Sequence, residues 1–274
     1  MAIVLFAAAL HAGWNALVRA STHKFQDTVL IVLGAAVWTG FLLPLVPMPA
    51  VESWPYLATS VLIHVVYFSL VAFSYRGGEL SFVYPLMRGS APALTAVAAV
   101  LLLNESPSPG GWVGVLLISC GVLVLAGDAW RAGTFRAASA MFALANAGVI
   151  VVYTLVDGQG VRLSGHALSY TAWIFLLTAP LLLAVATAAQ GRDVLQRIAL
   201  GWRRGLLGGA CTLASYALAL WAMTRAPIAL VAALRETSVV FAAVIAVYFL
   251  KEPMTRLRVA SIVTVCAGAV AVKM

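Results

Sequence analysis

The chain has 274 residues, of which 63% are hydrophobic and only 9% are charged, and its mean hydropathy is +1.02. Soluble domains are about half apolar and about a quarter charged, so this composition excludes a soluble enzyme and a nucleic-acid-binding module. The net charge of +8 comes from single basic residues between apolar runs, which is typical of the flanks of membrane helices.

Ten apolar runs along the chain are long enough to cross a bilayer as helices, since about 20 residues at 1.5 Å each span its core. They cover residues 2–20, 28–46, 56–75, 80–103, 110–127, 138–156, 167–189, 203–224, 228–250 and 254–272. Turn residues separate them, for example in segment 157–160, which reads Asp-Gly-Gln-Gly. The runs do not alternate polar and apolar residues, as the strands of an outer-membrane barrel do. The predicted fold class is therefore all-α, a polytopic membrane protein.

The remaining local signals exclude other kinds of site. The first run lacks a basic start and contains His11 and Asn15, which favours a retained first helix over a cleaved signal peptide. The three cysteines, Cys120, Cys211 and Cys266, lie far apart inside apolar runs, so we expect neither disulfides nor a zinc site. No metal and no cofactor is expected.

The second half of the chain repeats the first at a shift of 147 residues. The matched pairs are Arg88 with Arg235, Leu103 with Leu250, Glu105 with Glu252, and Gly121 with Gly268. The first helix repeats more weakly at a shift of 135 residues, where His11 aligns with Asn146. We expect two five-helix repeats, in residues 1–130 and 131–274.

An odd number of helices in the first repeat inverts the second one in the membrane. Loops 47–55 and 104–109 contain no Lys or Arg, whereas their counterparts carry several: Arg192, Arg197, Arg203 and Arg204 in 190–204, and Lys251, Arg256 and Arg258 in 251–258. This contrast is typical of inverted repeats, which favour alternating access around a site at the bilayer midplane. The odd-numbered loops hold most of the basic residues, which predicts that they are cytoplasmic and that both termini are outside.

The repeat, the ten runs, the segment 78–92 (GELSFVYPLMRGSAP) and the sequence Leu103-Asn104-Glu105 resemble the drug/metabolite transporter superfamily and, within it, bacterial EamA-type exporters. The resemblance covers nearly the whole chain. It implies a ten-helix bundle in the cell inner membrane, with a central cavity lined by both halves, and export or exchange of small metabolites such as amino acids. It also implies cytoplasmic termini, whereas the distribution of basic residues predicts that both termini are outside.

Two arginines and a glutamate are the main candidates for substrate binding. Arg88 and Arg235 lie deep in predicted helices four and nine, where an ionisable group needs a reason to be present. They could clamp an anionic substrate through their planar guanidinium groups, or form structural ion pairs, such as Arg88 with Glu236. Glu236 could carry a coupling proton, bind a substrate amine, or neutralise an arginine.

Further polar and aromatic residues on several predicted helices could line the same cavity. These are His11, Asn15, Tyr84, His64, Tyr67, Asn146 and Tyr216. Each has an ordinary alternative as a packing residue. Helices one, three, four, six and eight supply these residues, and helix nine supplies Arg235 and Glu236, which adds weight to the interpretation that they line one cavity.

The preferred function is secondary transport of a small metabolite, with an amino acid or an organic anion favoured as substrate and a proton as candidate coupling ion. The alternatives are a multidrug or cation efflux carrier, a channel, or a membrane enzyme with a lipid-like substrate. The sequence contains no P-loop, H-E-x-x-H or G-x-S-x-G motif, so ATP-driven transport and enzymatic hydrolysis are not expected. Glycine pairs at G-x-x-x-G spacing, Gly110/Gly114 and Gly205/Gly209, are compatible with a monomer or a weak homodimer.

Overall fold

A computed structural model describes residues 1–77, 80–125, 127, 137–191, 193–248 and 254–272, without the side chains of 19, 71–77, 80–84 and 139. The described ranges are helical and contain no strand, which confirms the all-α class. The helices are α1 Ala2–Arg19, α2 Lys24–Leu42, α3 Trp54–Gly77, α4 Leu80–Leu103, α5 Pro109–Val124, α6 Ala137–Leu163, α7 Ala167–Gln190, α8 Asp193–Met223, α9 Ile228–Arg235, α10 Ser238–Tyr248 and α11 Arg256–Ala271. Short 3-10 helices at Leu43–Leu45 and Val51–Ser53 connect α2 to α3.

Seven segments of the described chain are long and apolar enough to span a membrane. They are Lys24–Leu45, Val51–Leu70, Pro85–Leu103, Ala140–Leu163, Ala167–Gln190, Asp193–Met223 and Ile228–Tyr248. Two shorter apolar helices, Ala2–Val18 and Pro109–Val124, accompany them. The chain is therefore built as a multi-pass membrane protein.

The sequence predicted a turn at 157–160, but α6 continues through this segment to Leu163. Its glycines allow close packing instead. A Cβ on Gly158 would lie 2.4 Å from the side chain of Ile228, and one on Gly160 would lie 2.1 Å from the hydroxyl of Tyr170. The helix thus remains regular while two neighbouring side chains press against its backbone.

Helix α8 also begins earlier than predicted, at Asp193. The basic residues assigned to a loop, Arg197, Arg203 and Arg204, therefore lie on its first turns, while Arg192 is outside the described residues. Arg204 contacts Asp27 of α2 at 3.0 Å. The loop assignment was wrong because charged residues at a helix end interrupt the apolar run without ending the helix.

The predicted span 228–250 is interrupted at Glu236 and Thr237, between α9 and α10. The amide of Glu236 donates to the carbonyl of Ala233 at 2.9 Å, an i to i−3 contact that tightens the turn. The hydroxyl of Thr237 donates to the carbonyl of Leu234 at 2.6 Å. These local bonds replace regular α-helical bonds directly after Arg235.

Glycines allow two helix pairs to pack backbone against backbone. A Cβ on Gly209 of α8 would lie 2.3 Å from the amide nitrogen of Ala35 in α2. In the same way, a Cβ on Gly114 of α5 would lie 2.8 Å from the carbonyl oxygen of Gly268 in α11. Both contacts are within the chain, so the G-x-x-x-G spacing is explained without a dimer.

Helices α2, α4, α6 and α8 end at one end of the bundle, and α3, α5, α7 and α9 begin there. We call it the Glu105 end. The amide of Ala50 donates to the carbonyl of Ser164 at 3.1 Å there, and the hydroxyl of Ser169 donates to the carbonyl of Pro47 at 2.6 Å. These bonds hold the α2–α3 connection against the ends of α6 and α7.

Candidate functional site

Arg88 of α4 and Glu236, between α9 and α10, form a buried ion pair. Nε of Arg88 donates to Oε2 of Glu236 at 3.0 Å, and Nη2 lies 2.7 Å from Oε1. The two side chains are 3% and 6% exposed, so both charges are removed from water. Two parallel contacts satisfy both carboxylate oxygens. This is the pairing expected if Arg88 is structural, and it neutralises one of the two arginine charges.

His11 extends this pair into α1. Its Nε2 lies 3.3 Å from Nη2 of Arg88. Because a guanidinium can only donate, Nε2 must accept, so the imidazole is neutral with its proton on Nδ1. The rings of Trp14 and His11 pack edge to face, with their centres 5.2 Å apart. Asn15 donates to the carbonyl of His11 at 2.8 Å, so its amide is bound to its own helix and not to the ion pair.

Arg235, the repeat partner of Arg88, is placed differently. Its guanidinium carbon lies 5.1 Å from the ring centre of Tyr216 in α8, a cation–π geometry. The residue is 7% exposed, and its Nε has no hydrogen-bond partner in the described part of the chain. Arg235 therefore has a donor available, whereas the corresponding Nε of Arg88 is bound by Glu236.

Tyr216 leads from Arg235 to a second buried acid, Asp157 of α6. The hydroxyl of Tyr216 donates to Oδ2 of Asp157 in a short hydrogen bond. The hydroxyl of Tyr170 in α7 donates to Oδ1 at 3.3 Å, and Ser60 of α3 provides a third hydroxyl. Asp157 is fully buried. Hydroxyl groups from three helices therefore hold this carboxyl group.

His64 lies next to this carboxyl group on α3. Its Nδ1 is 2.9 Å from the carbonyl of Ser60 and 3.1 Å from the hydroxyl of the same residue. The ring packs at 4.8 Å from that of Tyr153 and at 5.8 Å from that of Tyr216, and Tyr67 packs on Tyr153 at 5.5 Å. These aromatic rings, from α3, α6 and α8, form one wall of the site.

Two further predicted residues are Asn146 and Tyr84. Asn146 is fully buried in α6, and its Nδ2 is 2.7 Å from the sulfur of Met87. Its Oδ1 has no partner among the described residues. Tyr84 is one turn before Arg88 on α4, but its side chain is outside the described residues. The structure thus brings His11, Arg88 and Glu236 together, and it places Asn146 against Met87, the residue before Arg88.

A different ion pair lies at the Glu105 end. Arg162 at the end of α6 forms a short ion pair with Glu105, and its Nε donates to the carbonyl of Met223 at 2.8 Å. The amide of Ile228 donates to Oε2 of Glu105 at 3.1 Å. A carboxylate at that position satisfies a free amide at the start of α9 and complements the helix dipole. The repeat partner Glu252 is outside the described residues.

Comparison with known proteins identifies the family. The model of the EamA-like transporter family matches residues 137–274, half of the chain. The chain belongs to the EamA-like transporter family. This family is part of the drug/metabolite transporter superfamily, so the resemblance found in the sequence is confirmed. Family membership and the apolar helices together make this a membrane transporter of small molecules.

Solved structures share the fold of this EamA-like transporter. In total, 28 chains of solved structures match this chain. One crystal structure of a protein superposes with a TM-score of 0.74 over 99% of this chain and 97% of that chain, at 18% identity. At that identity the similarity concerns the fold alone. No curated protein matches the sequence.

The main residue that sequence reasoning missed in this EamA-like transporter is Asp157, because segment 157–160 was interpreted as a turn. A signal was present. Asn146, Tyr153 and Asp157 are spaced seven and four residues apart, which places them on one face of a helix. The apolar residues that follow, Val161 and Leu163, also indicated that the helix continues. Within the described residues, no group of three or more His, Cys, Asp or Glu could hold a metal.

Proposed function

We propose that this EamA-like transporter is a secondary transporter of small anionic or zwitterionic metabolites, such as amino acids or organic acids. It works by alternating access between two inverted five-helix repeats, residues 1–130 and 131–274, in the cell inner membrane. The substrate site lies at mid-bundle around Arg235, with His11, Tyr216 and Asn146 as neighbours.

The observation that carries this proposal is the difference between the two arginines. Glu236 neutralises Arg88 through two contacts. Arg235 retains an unpartnered Nε and stacks on Tyr216. A buried cation whose donor is not satisfied by the protein favours an anionic group of a ligand, and a guanidinium binds carboxylate or phosphate with two parallel hydrogen bonds. The preferred anchor for substrate is therefore Arg235 alone, not a clamp of both arginines.

The pattern of helix contacts supports the repeat architecture. In the predicted repeats, α1 corresponds to α6, α3 to α8, and α4 to α9 with α10. Helix α1 packs on α8, and the equivalent pair, α6 with α3, is also in contact. Likewise α4 packs on α6, and the equivalent α9 and α10 pack on α1. Two further large contacts, of α2 with α7 and of α5 with α11, join helices that are equivalent in the two predicted repeats. This exchange of partners is what a two-fold relation between the halves requires, and such relations accompany alternating access in secondary transporters.

The Glu105 end supplies a closure for one side of the membrane. Glu105 and Arg162 connect α4, α6 and the start of α9 through one ion pair and three backbone bonds. Opening this side for substrate would break these contacts together, so the closed state is separated from the open one by several interactions.

A thermal-stability screen of the purified protein tests the proposed function. Amino acids, organic acids, phosphonates and organic cations are added, and the melting temperature is followed with ligand concentration. Anionic or zwitterionic compounds should raise it, because a ligand that binds only the folded state stabilises that state. Stabilisation by organic cations alone would contradict the proposal and favour a cation efflux carrier. The best compound is then tested for counterflow in proteoliposomes, which a channel does not show.

Substituting each arginine by lysine tests the assignment of the substrate anchor. Arg235→Lys keeps the charge but loses the planar fork. It should weaken binding of the stabilising compound by about 1.5–3 kcal/mol, the contribution of a charge-assisted hydrogen bond. Arg88→Lys is the matched control and should bind almost normally. Equal losses in both variants would restore the two-arginine clamp, and normal binding in both would remove Arg235 from the site.

A further inference from the structure

We propose that Asp157 is the proton-binding site of this transporter, and that Tyr216 links its protonation to the substrate site at Arg235. This inference rests on the proposed function, since it names the coupling ion of the same site. It assigns the proton to an acid that the sequence did not single out, in place of Glu236.

Asp157 has the surroundings of a group that can exist with or without its proton. Its partners are the hydroxyls of Tyr216, Tyr170 and Ser60, and within the described chain no Lys or Arg forms an ion pair with it. A hydroxyl can donate to a carboxylate, and after rotation it can accept from a carboxylic acid. The same partners therefore satisfy both protonation states without moving a helix.

Glu236 lacks this property. Both of its oxygens face Arg88, at 3.0 Å and 2.7 Å, and a guanidinium cannot accept a hydrogen bond or lose its proton in a protein. A proton on Glu236 would break at least one of these contacts and leave a buried arginine unneutralised. The ion pair therefore holds Glu236 as a structural anion.

The titratable groups around Asp157 and its partner tyrosines come from five helices. Helix α3 contributes His64 and Tyr56, α6 itself contributes Tyr153, α7 contributes Tyr170, and α8 contributes Tyr216, with Arg235 of α9 on the far side of the Tyr216 ring. Four of these groups are phenols, so the carboxyl group lies among hydroxyls, with one imidazole beside it and one guanidinium beyond the Tyr216 ring.

Tyr216 is the physical link between the proton and the substrate. Its hydroxyl contacts Oδ2 of Asp157, and its ring faces the guanidinium of Arg235 at 5.1 Å. When a proton from water binds to a carboxylate oxygen, the new O–H can donate to the phenol oxygen, and the phenol hydrogen must turn away. One negative charge near Arg235 is lost in the same step. Protonation therefore strengthens the positive field at Arg235, which favours binding of a substrate anion.

Infrared difference spectroscopy as a function of pH tests this site without any substrate. Wild-type protein in lipid should show a carbonyl stretch of a protonated carboxylic acid that appears on acidification, and carboxyl-labelled aspartate should shift this band. The band should be lost in Asp157→Asn and kept in the matched control Glu236→Gln. A band that persists in Asp157→Asn, or that does not respond to labelled aspartate, would overturn the proposal.

A second variant keeps the test decisive if Asp157→Asn does not fold. Tyr216→Phe removes one donor to the carboxylate and leaves the ring in place. The labelled band should then appear at a higher pH than in the wild type, because the charged form has lost a hydrogen bond. An unchanged midpoint would show that Tyr216 does not sense the proton. Failure of the ligand screen with the band intact contradicts the proposed function alone, whereas loss of the band assignment contradicts only the proton site.

Discussion

Two acids are buried in the described part of this EamA-like transporter, and they are stabilised in different ways. Glu236 is bound by the guanidinium of Arg88 through two contacts. Asp157 is bound by the hydroxyls of Tyr216 and Tyr170 and by Ser60. Both residues are at most 4% exposed, so burial alone does not distinguish them. The difference lies in whether the partner carries a permanent charge.

This contrast suggests a division of labour between structure and transport. A buried ion pair is costly to break, because the remaining charge has no water to stabilise it. A carboxyl group among hydroxyls can gain or lose a proton while keeping its hydrogen bonds. We therefore expect the Arg88–Glu236 pair to determine folding stability and the Asp157 cluster to determine pH dependence.

The largest expected effect is that of Arg88→Ala on stability. It leaves Glu236 buried without its partner and should lower the free energy of unfolding by about 3–5 kcal/mol. Glu236→Ala in the same protein should recover part of this loss, since the uncompensated charge is then removed. Unfolding in detergent measures both variants.

Arg204→Ala provides the matched control for this prediction. Arg204 is 45% exposed in its pair with Asp27, and exposed ion pairs contribute about 1 kcal/mol or less. If Arg88→Ala costs no more than Arg204→Ala, the buried pair does not determine stability and the comparison between the two acids fails.

A smaller effect is expected at the second acid. Tyr216→Phe removes one hydrogen bond to a charged group and should cost about 1.5–3 kcal/mol when Asp157 is ionised. At low pH the cost should decrease, because a hydrogen bond with a neutral carboxylic acid contributes less than one to a carboxylate. Unfolding of the variant at two pH values measures the difference.

Tyr153→Phe is the control for the same aromatic wall, because Tyr153 contacts His64 and Tyr67 through its ring. It should change stability less than Tyr216→Phe and equally at both pH values. A cost for Tyr216→Phe that is independent of pH would mean that Asp157 does not change its charge in the range tested.

Much of the fold could be predicted from sequence, because apolar runs of membrane length leave few alternatives to helices. Helix ends were less predictable. Charged or small residues interrupt hydropathy without ending a helix, as at Arg197 and Arg204 of α8 and at Gly158 and Gly160 of α6. The inverted repeat and the ten-helix count stay predictions that rest on the shift between Arg88 and Arg235 and on helix contacts.

The candidate site was only partly predictable for a different reason. Depth in a helix drew attention to Arg88, Arg235 and Glu236, since a charge in a membrane span needs a partner. Which of them are paired depends on distances between helices, which the sequence does not contain. Asp157 was missed because its glycine neighbours, which allow Ile228 and Tyr170 to approach, have the composition of a turn.

Transport in proteoliposomes tests the division between the two acids most directly. Wild type, Asp157→Asn and Glu236→Gln are reconstituted, and the compound that stabilises the wild type most is used as substrate. We expect Asp157→Asn to retain counterflow and to lose accumulation driven by a pH gradient. Glu236→Gln should keep accumulation per folded protein despite a lower melting temperature. Accumulation that survives in Asp157→Asn and disappears in Glu236→Gln would contradict the assignment and make Glu236 the proton carrier.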